Sequence, residues 1–245
     1  MAWVPTGPDE ERIEDPRYVV RFSPGAHFWS VQVGRIRLEP GEVDAVVAEI
    51  RELARERGRA ASVWTVGDAS TPPGLAATLE DLGLEREGIS DVLLLTRAPA
   101  REPADFDVRE VASPTDLATW IDVSAAAFGW PEEDTADERA RAEATYAAER
   151  SDPATSRLLV FDGDRPVAVG RAWRSAWGLY LGGGATLPSD RRRGAMTALL
   201  VAAWDEAARL GTPALVAHGS ALSTPVLAGL GFERVGGTVH LIDRL

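Results

Sequence analysis

The chain has 245 residues, 45% of them apolar, with a formal net charge of −12. That charge excludes a dominant nucleic-acid footprint, which needs a basic surface, and the absence of cysteine excludes disulfides, thiolate metal sites and a cysteine nucleophile. His27, His218 and His240 form no ligand-spaced pair, so no metal is expected, and neither a signal-peptide pattern nor an apolar run of membrane-span length occurs, so the chain reads as soluble and cytoplasmic.

Residues 1–17 are polar and Pro-rich and read as a loose arm. Strands are predicted at 18–22 and 29–38. Apolar residues recur at helical spacing from Val43 to Ala54, and Gly58 supplies a stop, so 41–58 reads as a helix. A strand at 61–67, a helix at 74–82 and a strand at 91–96 follow. Residues 101–107 are Pro- and charge-rich and read as a linker between two domains, 1–100 and 101–245. Beyond it a helix is predicted at 114–128 with Ser113 as its N-cap, then a turn into one acidic, Ala-rich helix within 129–150. Strands at 156–161 and 166–174 form a hairpin about 162–164, and a third strand covers 179–187. A helix at 194–210, a strand at 213–218, a short helix at 224–230 and a strand at 238–242 complete the chain.

Two segments echo each other. GDASTPPGLAATLEDLGLER (67–86) and GSALSTPVLAGLGFER (219–234) share S-T-P and then L-G, an apolar residue and E-R. This is read as a duplicated unit.

LGGGATLPSDRRRGAMTALL (181–200) carries the main chemical signal. Arg191, Arg192 and Arg193 stand at a helix N-terminus, where the dipole already places positive charge. One resolution is a bound polyanion, with Gly194 letting the backbone approach it; the other is a solvated basic turn balanced by Asp190. Gly182, Gly183 and Gly184 weaken a strand unless something lies against its backbone. An extended molecule with an amide-bearing arm and a pyrophosphate fits both features, and coenzyme A is such a molecule. No G-x-x-x-x-G-K-[ST] loop is present for a nucleoside triphosphate.

These residues resemble the acetyl-CoA signature of the GNAT superfamily of N-acetyltransferases. Ala185-Thr186-Leu187-Pro188 matches its strand and turn, and Arg191-x-x-Gly194-x-Met196 matches its helix opening. Downstream, Ser220 and Gly231-Phe232 match a second family segment. The resemblance covers about residues 104–245; the N-terminal half resembles a degenerate, smaller copy lacking the arginine–glycine loop, as in tandem members. The implied fold is α/β (α+β), a mixed, mostly antiparallel sheet flanked by helices. The implied function is transfer of an acetyl group from acetyl-CoA to the amine of a small molecule or peptide, by a monomer or homodimer without nucleic-acid or membrane partners. A CoA-binding protein without catalysis and a ligand-free interaction module are the alternatives.

The resemblance also implies roles. Gly184, Ala185 and Thr186 would line the pantetheine arm, with the backbone N–H near Thr186 on the carbonyl. Arg192, Arg193, Gly194, Ala195, Met196 and Thr197 would bind the pyrophosphate. Met196 stands where the family has a small residue. Leu227 stands where many members carry a tyrosine that protonates the leaving thiolate, and Leu227→Tyr is accordingly expected to be neutral or activating. The acid is then sought in Tyr180, His218 or Ser220, or in solvent, with packing and ordinary hydrogen bonding as the other reading of each. Glu132, Glu133 and Asp134 are candidates for the base, although acids are also ordinary first-turn residues. Trp120, Trp130, Trp173 and Trp177 are candidate walls of an acceptor pocket or core.

Overall fold

The computed structural model describes residues 10–24, 28–100, 105–151 and 154–245. Its contacts divide the chain into two compact units, one ending at Asp91 and resuming from Gly236 to Leu245, the other spanning Val92–Val235. The division differs from a single cut at 100/101: the chain crosses twice, and its C-terminal segment joins the first unit.

In the first unit, strands β1 (Glu11–Glu14), β2 (Val19–Phe22) and β3 (Val31–Gly34) precede helix α1 (Val43–Glu56), strand β4 (Ala61–Gly67), helix α2 (Leu75–Asp81) and the start of strand β5 (Glu85–Leu95). β1 corrects the reading of 1–17 as a loose arm, of which residues 1–9 lie outside the described residues. It pairs antiparallel with β2, and Arg57 clamps Glu11 through Nε and Nη2, each at 2.7 Å. Only Ile13 of β1 packs against the core, which is why its sequence carries little strand signal. β3 is shorter than predicted because Arg35 adopts a left-handed φ of 50° and ends it. The α1 stripe buries Val43, Val46, Val47, Ile50 and Ala54 against a core centred on Trp64. β3 and β4 run parallel, as a β–α–β crossover requires.

The second unit contains β6 (Asp107–Glu110), α3 (Pro114–Phe128), α4 (Glu132–Ala140), α5 (Ala142–Ser151), β7 (Thr155–Asp162), β8 (Arg165–Ser175), β9 (Gly178–Thr186), α6 (Ala195–Arg209), β10 (Leu215–Gly219) and α7 (Thr224–Ala228). β11 (Glu233–Arg244) begins here and continues into the first unit, where it pairs antiparallel with β4 from Thr238↔Gly67 to Arg244↔Ala61. The sheet of the second unit runs β6, β7, β8, β9, β10, antiparallel up to β9 and parallel between β9 and β10. β6 starts at the last residue of the predicted linker, of which 101–104 lie outside the described residues. α3 has its predicted bounds: Ser113 Oγ accepts the Asp116 N–H at 3.0 Å, and left-handed Gly129 ends it. The single helix predicted within 129–150 is two helices broken at Arg141, one burying Thr135 and the other Ala142.

Helices cover both faces of this sheet. Arg171 reaches toward α5, with Nη2 2.8 Å from Glu149 Oε1. Arg174, three residues on and therefore on the opposite face, donates to Glu206 of α6 at 2.7 Å. The two echo segments fold alike: β4–α2–β5 and β10–α7–β11 are each strand, short helix, strand. Gly83 and Gly231 both take left-handed φ, 94° and 99°, and the following Leu84 and Phe232 are both buried.

Candidate functional site

β9 and β10 pair from Leu179↔Leu215 to Leu181↔Ala217. β9 then continues to Thr186 and β10 to Gly219 without further pairing between them. The strands part where the three glycines lie. On its other side β9 bulges: Val169 faces Ala185 and Arg171 faces Gly182, so Gly170 alone opposes both Gly183 and Gly184. Gly183 occupies the bulge with φ 61°, a conformation costly for any residue with a Cβ. Trp120 of α3 donates its indole N–H to the Gly170 carbonyl at 3.1 Å across this irregularity.

The glycines have separate reasons. A Cβ on Gly182 would stand 2.7 Å from Trp173 Cζ3, so Trp173 fills that space. Gly183 is required by its backbone angle. Gly184 is exposed, and Met196 lies against it, with Cε 3.5 Å from a notional Cβ. The thioether of Met196 therefore turns toward β9, where it also packs against the core. Ala185 is buried and Thr186 half-buried.

Trp173, Tyr180 and His218 form one cluster at the point of parting. Trp173 stacks on Tyr180 at 5.4 Å between centroids, and Tyr180 meets His218 edge-on at 5.6 Å. Two sequence candidates for proton transfer are thus neighbours. Ser220 lies just beyond, exposed, and its hydroxyl and backbone engage Ser223, Leu222 and Thr224 in the turn that opens α7. Leu227 is buried in the core beneath, 6% exposed.

After β9 a 3₁₀ turn (Pro188–Asp190) leads through the arginines to α6. Gly194 is the N-cap at φ 97° and has no side chain to cap the helix. The first intrahelical bond is Ala198 N–H to Gly194 C=O, which leaves the N–H groups of the first turn without helical partners. The arginines divide. Arg193 pairs with Asp162 and Asp190, both at 2.8 Å. Arg191 donates to the Thr186 and Ala127 carbonyls at 3.3 and 3.5 Å. Arg192 is exposed at a left-handed φ of 64° and, among the described residues, makes no ion pair or side-chain hydrogen bond. Asp190 is buried and anchors the turn; Arg165, Ser189 and Arg193 hold its carboxyl well below the usual range, chiefly through the Arg165 hydrogen bond. The long-range partners in this clamp, Asp162 and Arg165, carry no local sequence signal for it.

The corresponding loop of the first unit is built differently. Before α1, Glu42 turns back to accept the Glu39 N–H at 2.8 Å. Acidic side chains occupy the place that arginines take before α6.

The acceptor-side candidates do not join the aromatic cluster as one constellation. Glu132 and Glu133 are exposed in the first turn of α4, and Glu132 pairs with Arg139 at 3.2 Å. Asp134 is half-buried there. Trp120 is buried with the Arg157 guanidinium 4.3 Å over its ring, Trp130 stacks on Phe128 at 6.4 Å, and Trp177 is 87% exposed. Among the described residues no group of three or more His, Asp or Glu could hold a metal ion, and no helix is long and apolar enough to cross a membrane.

No family model and no curated protein matches the chain. Solved structures do. A GCN5-related N-acetyltransferase from Kribbella flavida superposes with a TM-score of 0.73 at 19% identity, covering 96% of this chain and 90% of that one. A tandem GNAT protein from the clavulanic acid biosynthesis pathway superposes with a TM-score of 0.65 at 16% identity, covering 98% and 84%. A GCN5-related N-acetyltransferase from Sphaerobacter thermophilus gives 0.66 at 16% identity, covering 93% and 76%. A bulged strand parting from its parallel neighbour, leading into an uncapped helix, thus sits in a chain that has the fold of the GCN5-related (GNAT) N-acetyltransferases, shared over nearly its whole length with a tandem member.

Proposed function

We propose that the chain is an acetyl-CoA-dependent N-acetyltransferase acting on the amine of a small molecule or peptide. The observation that carries this reading is the parting of β9 from β10 beside the Gly183 bulge, continuous with the uncapped N-terminus of α6 and with Arg192, which makes no ion pair among the described residues. Acetyl-CoA, when bound, supplies an activated acetyl thioester. The N–H groups of Ala195, Met196 and Thr197, with the Arg192 guanidinium, are suited to hold a pyrophosphate. The Arg193 side chain contributes by fixing the turn, since two carboxylates already occupy it. The open edge of β9 at Gly184–Thr186 orients an amide-bearing arm, and its N–H groups can donate to a carbonyl oxygen there. In this reading Tyr180 and His218, whose rings meet at the parting of the strands, hold or pass the proton.

Incubation with radiolabelled acetyl-CoA and panels of small amines and peptides tests the proposal. Label should appear on an amine, and Tyr180→Phe with His218→Phe should lower turnover about 10²–10⁴-fold. Leu227 gives the reading of a CoA-binding protein without catalysis its specific support, because it removes the family's usual acid. Saturable acetyl-CoA binding without transfer to any amine would favour that second reading.

A further inference from the structure

An amine that takes an acetyl group at the parting of β9 from β10 must come over one face of the sheet or the other. The α6 face is filled: Met196 Cε lies 3.5 Å from where a Cβ on Gly184 would stand, and Leu199 Cδ1 lies 2.7 Å from where one on Gly170 would stand. The other face carries Trp173, Tyr180 and His218 in one row across β8, β9 and β10, all three half-buried. Strand alternation puts them there. Arg174 reaches α6, so its neighbour Trp173 points the other way, and Trp173 pairs with Tyr180. The amine therefore arrives over these three rings.

One donor in the row is unmet. The indole N–H of Trp173 is shut off from solvent and has no hydrogen-bond partner among the described residues. Two buried indoles elsewhere are satisfied: Trp64 donates to Ser62 Oγ and Trp120 to the Gly170 carbonyl, each at 3.1 Å. A buried donor without a partner is costly, and a ligand oxygen would remove the cost. No hydrogen bond ties the Trp173 ring down. It stacks on Tyr180, its six-membered ring sits on Gly182, where a Cβ would stand 2.7 Å from Cζ3, and the Arg171 guanidinium lies 4.6 Å over it. The ring can therefore turn off Gly182 without breaking a hydrogen bond.

An indole N–H only donates, so an oxygen completes it and an ammonium or alkyl chain does not. In an α-amino carbonyl compound the amine nitrogen and the carbonyl oxygen are about 3 Å apart. Neighbouring rings of the row are 5.4 and 5.6 Å apart between centroids, so one such molecule spans from Trp173 to Tyr180 and His218. We propose that Trp173 selects the acceptor: it turns off Gly182 and donates its indole N–H to the carbonyl oxygen of an α-amino carbonyl compound, an amino acid derivative or a peptide N-terminus, whose amine then lies at Tyr180 and His218. Plain alkylamines and polyamines lack that oxygen and are the poorer acceptors. The inference rests on the acetyltransferase reading and narrows its substrate class.

The test sets leucinamide beside isopentylamine, the same amine without the carboxamide, on the full chain. The first readout is the indole N–H resonance of Trp173, assigned through its Overhauser contacts with Tyr180. It should move downfield and saturate with leucinamide, and not with isopentylamine. The second is transfer from acetyl-CoA. Trp173→Phe keeps an aromatic ring and removes the N–H, and it should cut the kcat/KM preference for leucinamide over isopentylamine about tenfold, through KM. A merely structural role would lower both amines alike. If the variant misfolds, the resonance in the natural chain still decides. A saturable downfield shift with transfer to neither amine would sink the acetyltransferase reading and uphold the Trp173 contact. No saturable shift with leucinamide, an equal shift with both amines, the same shift with acetyl-CoA alone, or an unchanged preference in Trp173→Phe would overturn the inference.

Discussion

Arg192 and Arg193 are adjacent, and the structure gives them different work. Arg192 has no ion pair among the described residues, whereas Arg193 bridges Asp162 and Asp190. Arg192→Ala should weaken acetyl-CoA binding at least tenfold with an unchanged melting temperature, because a charge-assisted hydrogen bond contributes about 1.5–3 kcal/mol. Arg193→Ala should lower the melting temperature, because the turn loses a tether. Calorimetric titration beside thermal unfolding separates the two; equal losses of affinity without destabilisation would refute the division. Gly182→Ala meets Trp173 at 2.7 Å, so the ring must move off Tyr180. Overpacking of this kind costs about 1–3 kcal/mol and should show as a lower urea midpoint. Leu227→Tyr, neutral or activating on the sequence reading, faces a similar cost, since Leu227 is only 6% exposed within the core. It should destabilise the chain before it changes turnover.

Among the elements, β11 carries a buried histidine into the first unit. His240 Nδ1 lies 3.2 Å from Thr65 Oγ1, its Nε2 lies 3.2 Å from Ser90 Oγ, and Trp29 meets it edge-on. Burial disfavours its charged form and pushes its pKa below 6.5, with Glu87 opposing. Below that value the unfolded chain binds more protons than the folded one. Stability from this group is therefore complete above about pH 6.5 and declines as pH falls from there toward the folded pKa. Urea midpoints measured from about pH 7.5 down to about pH 5.5 should fall more steeply in the natural chain than in His240→Gln. Parallel curves would remove His240 as the cause. Elements were legible in the sequence where apolar spacing was strong: α1 shows its predicted stripe, and α3 and β4 have their predicted bounds. They were illegible where short polar strands gain their place from a partner, as β1 does from β2 and Arg57.

For the molecule as a whole, the allocation of strands to units matters most. The C-terminal half of β11 belongs to the first unit, whereas Leu93 and Leu95 of β5 are buried in the core of the second. Arg51 of α1 holds Asp243 of β11 through Nε at 2.9 Å and Nη2 at 2.8 Å, and Asp243 is 1% exposed. Removing the cation strands a buried carboxylate, so Arg51→Met should cost about 3 kcal/mol, more than Asp243→Asn, which leaves a partly solvated arginine. Chemical denaturation of both single variants and the double variant measures this; a larger loss in Asp243→Asn would contradict it. The sequence by itself determined the candidate ligand loop, because glycine spacing, an arginine turn and a helix start are local features read within twenty residues. It also carried the repeated unit, because S-T-P followed by L-G, an apolar residue and E-R recurs in 67–86 and 219–234. Only the tertiary structure decided which arginine makes no ion pair among the described residues, why Gly182 is glycine, that Tyr180 and His218 are neighbours, and which unit the last strand completes. Each of those depends on a partner distant in sequence, and pairing across such distances is fixed by packing and register, which local propensity does not encode.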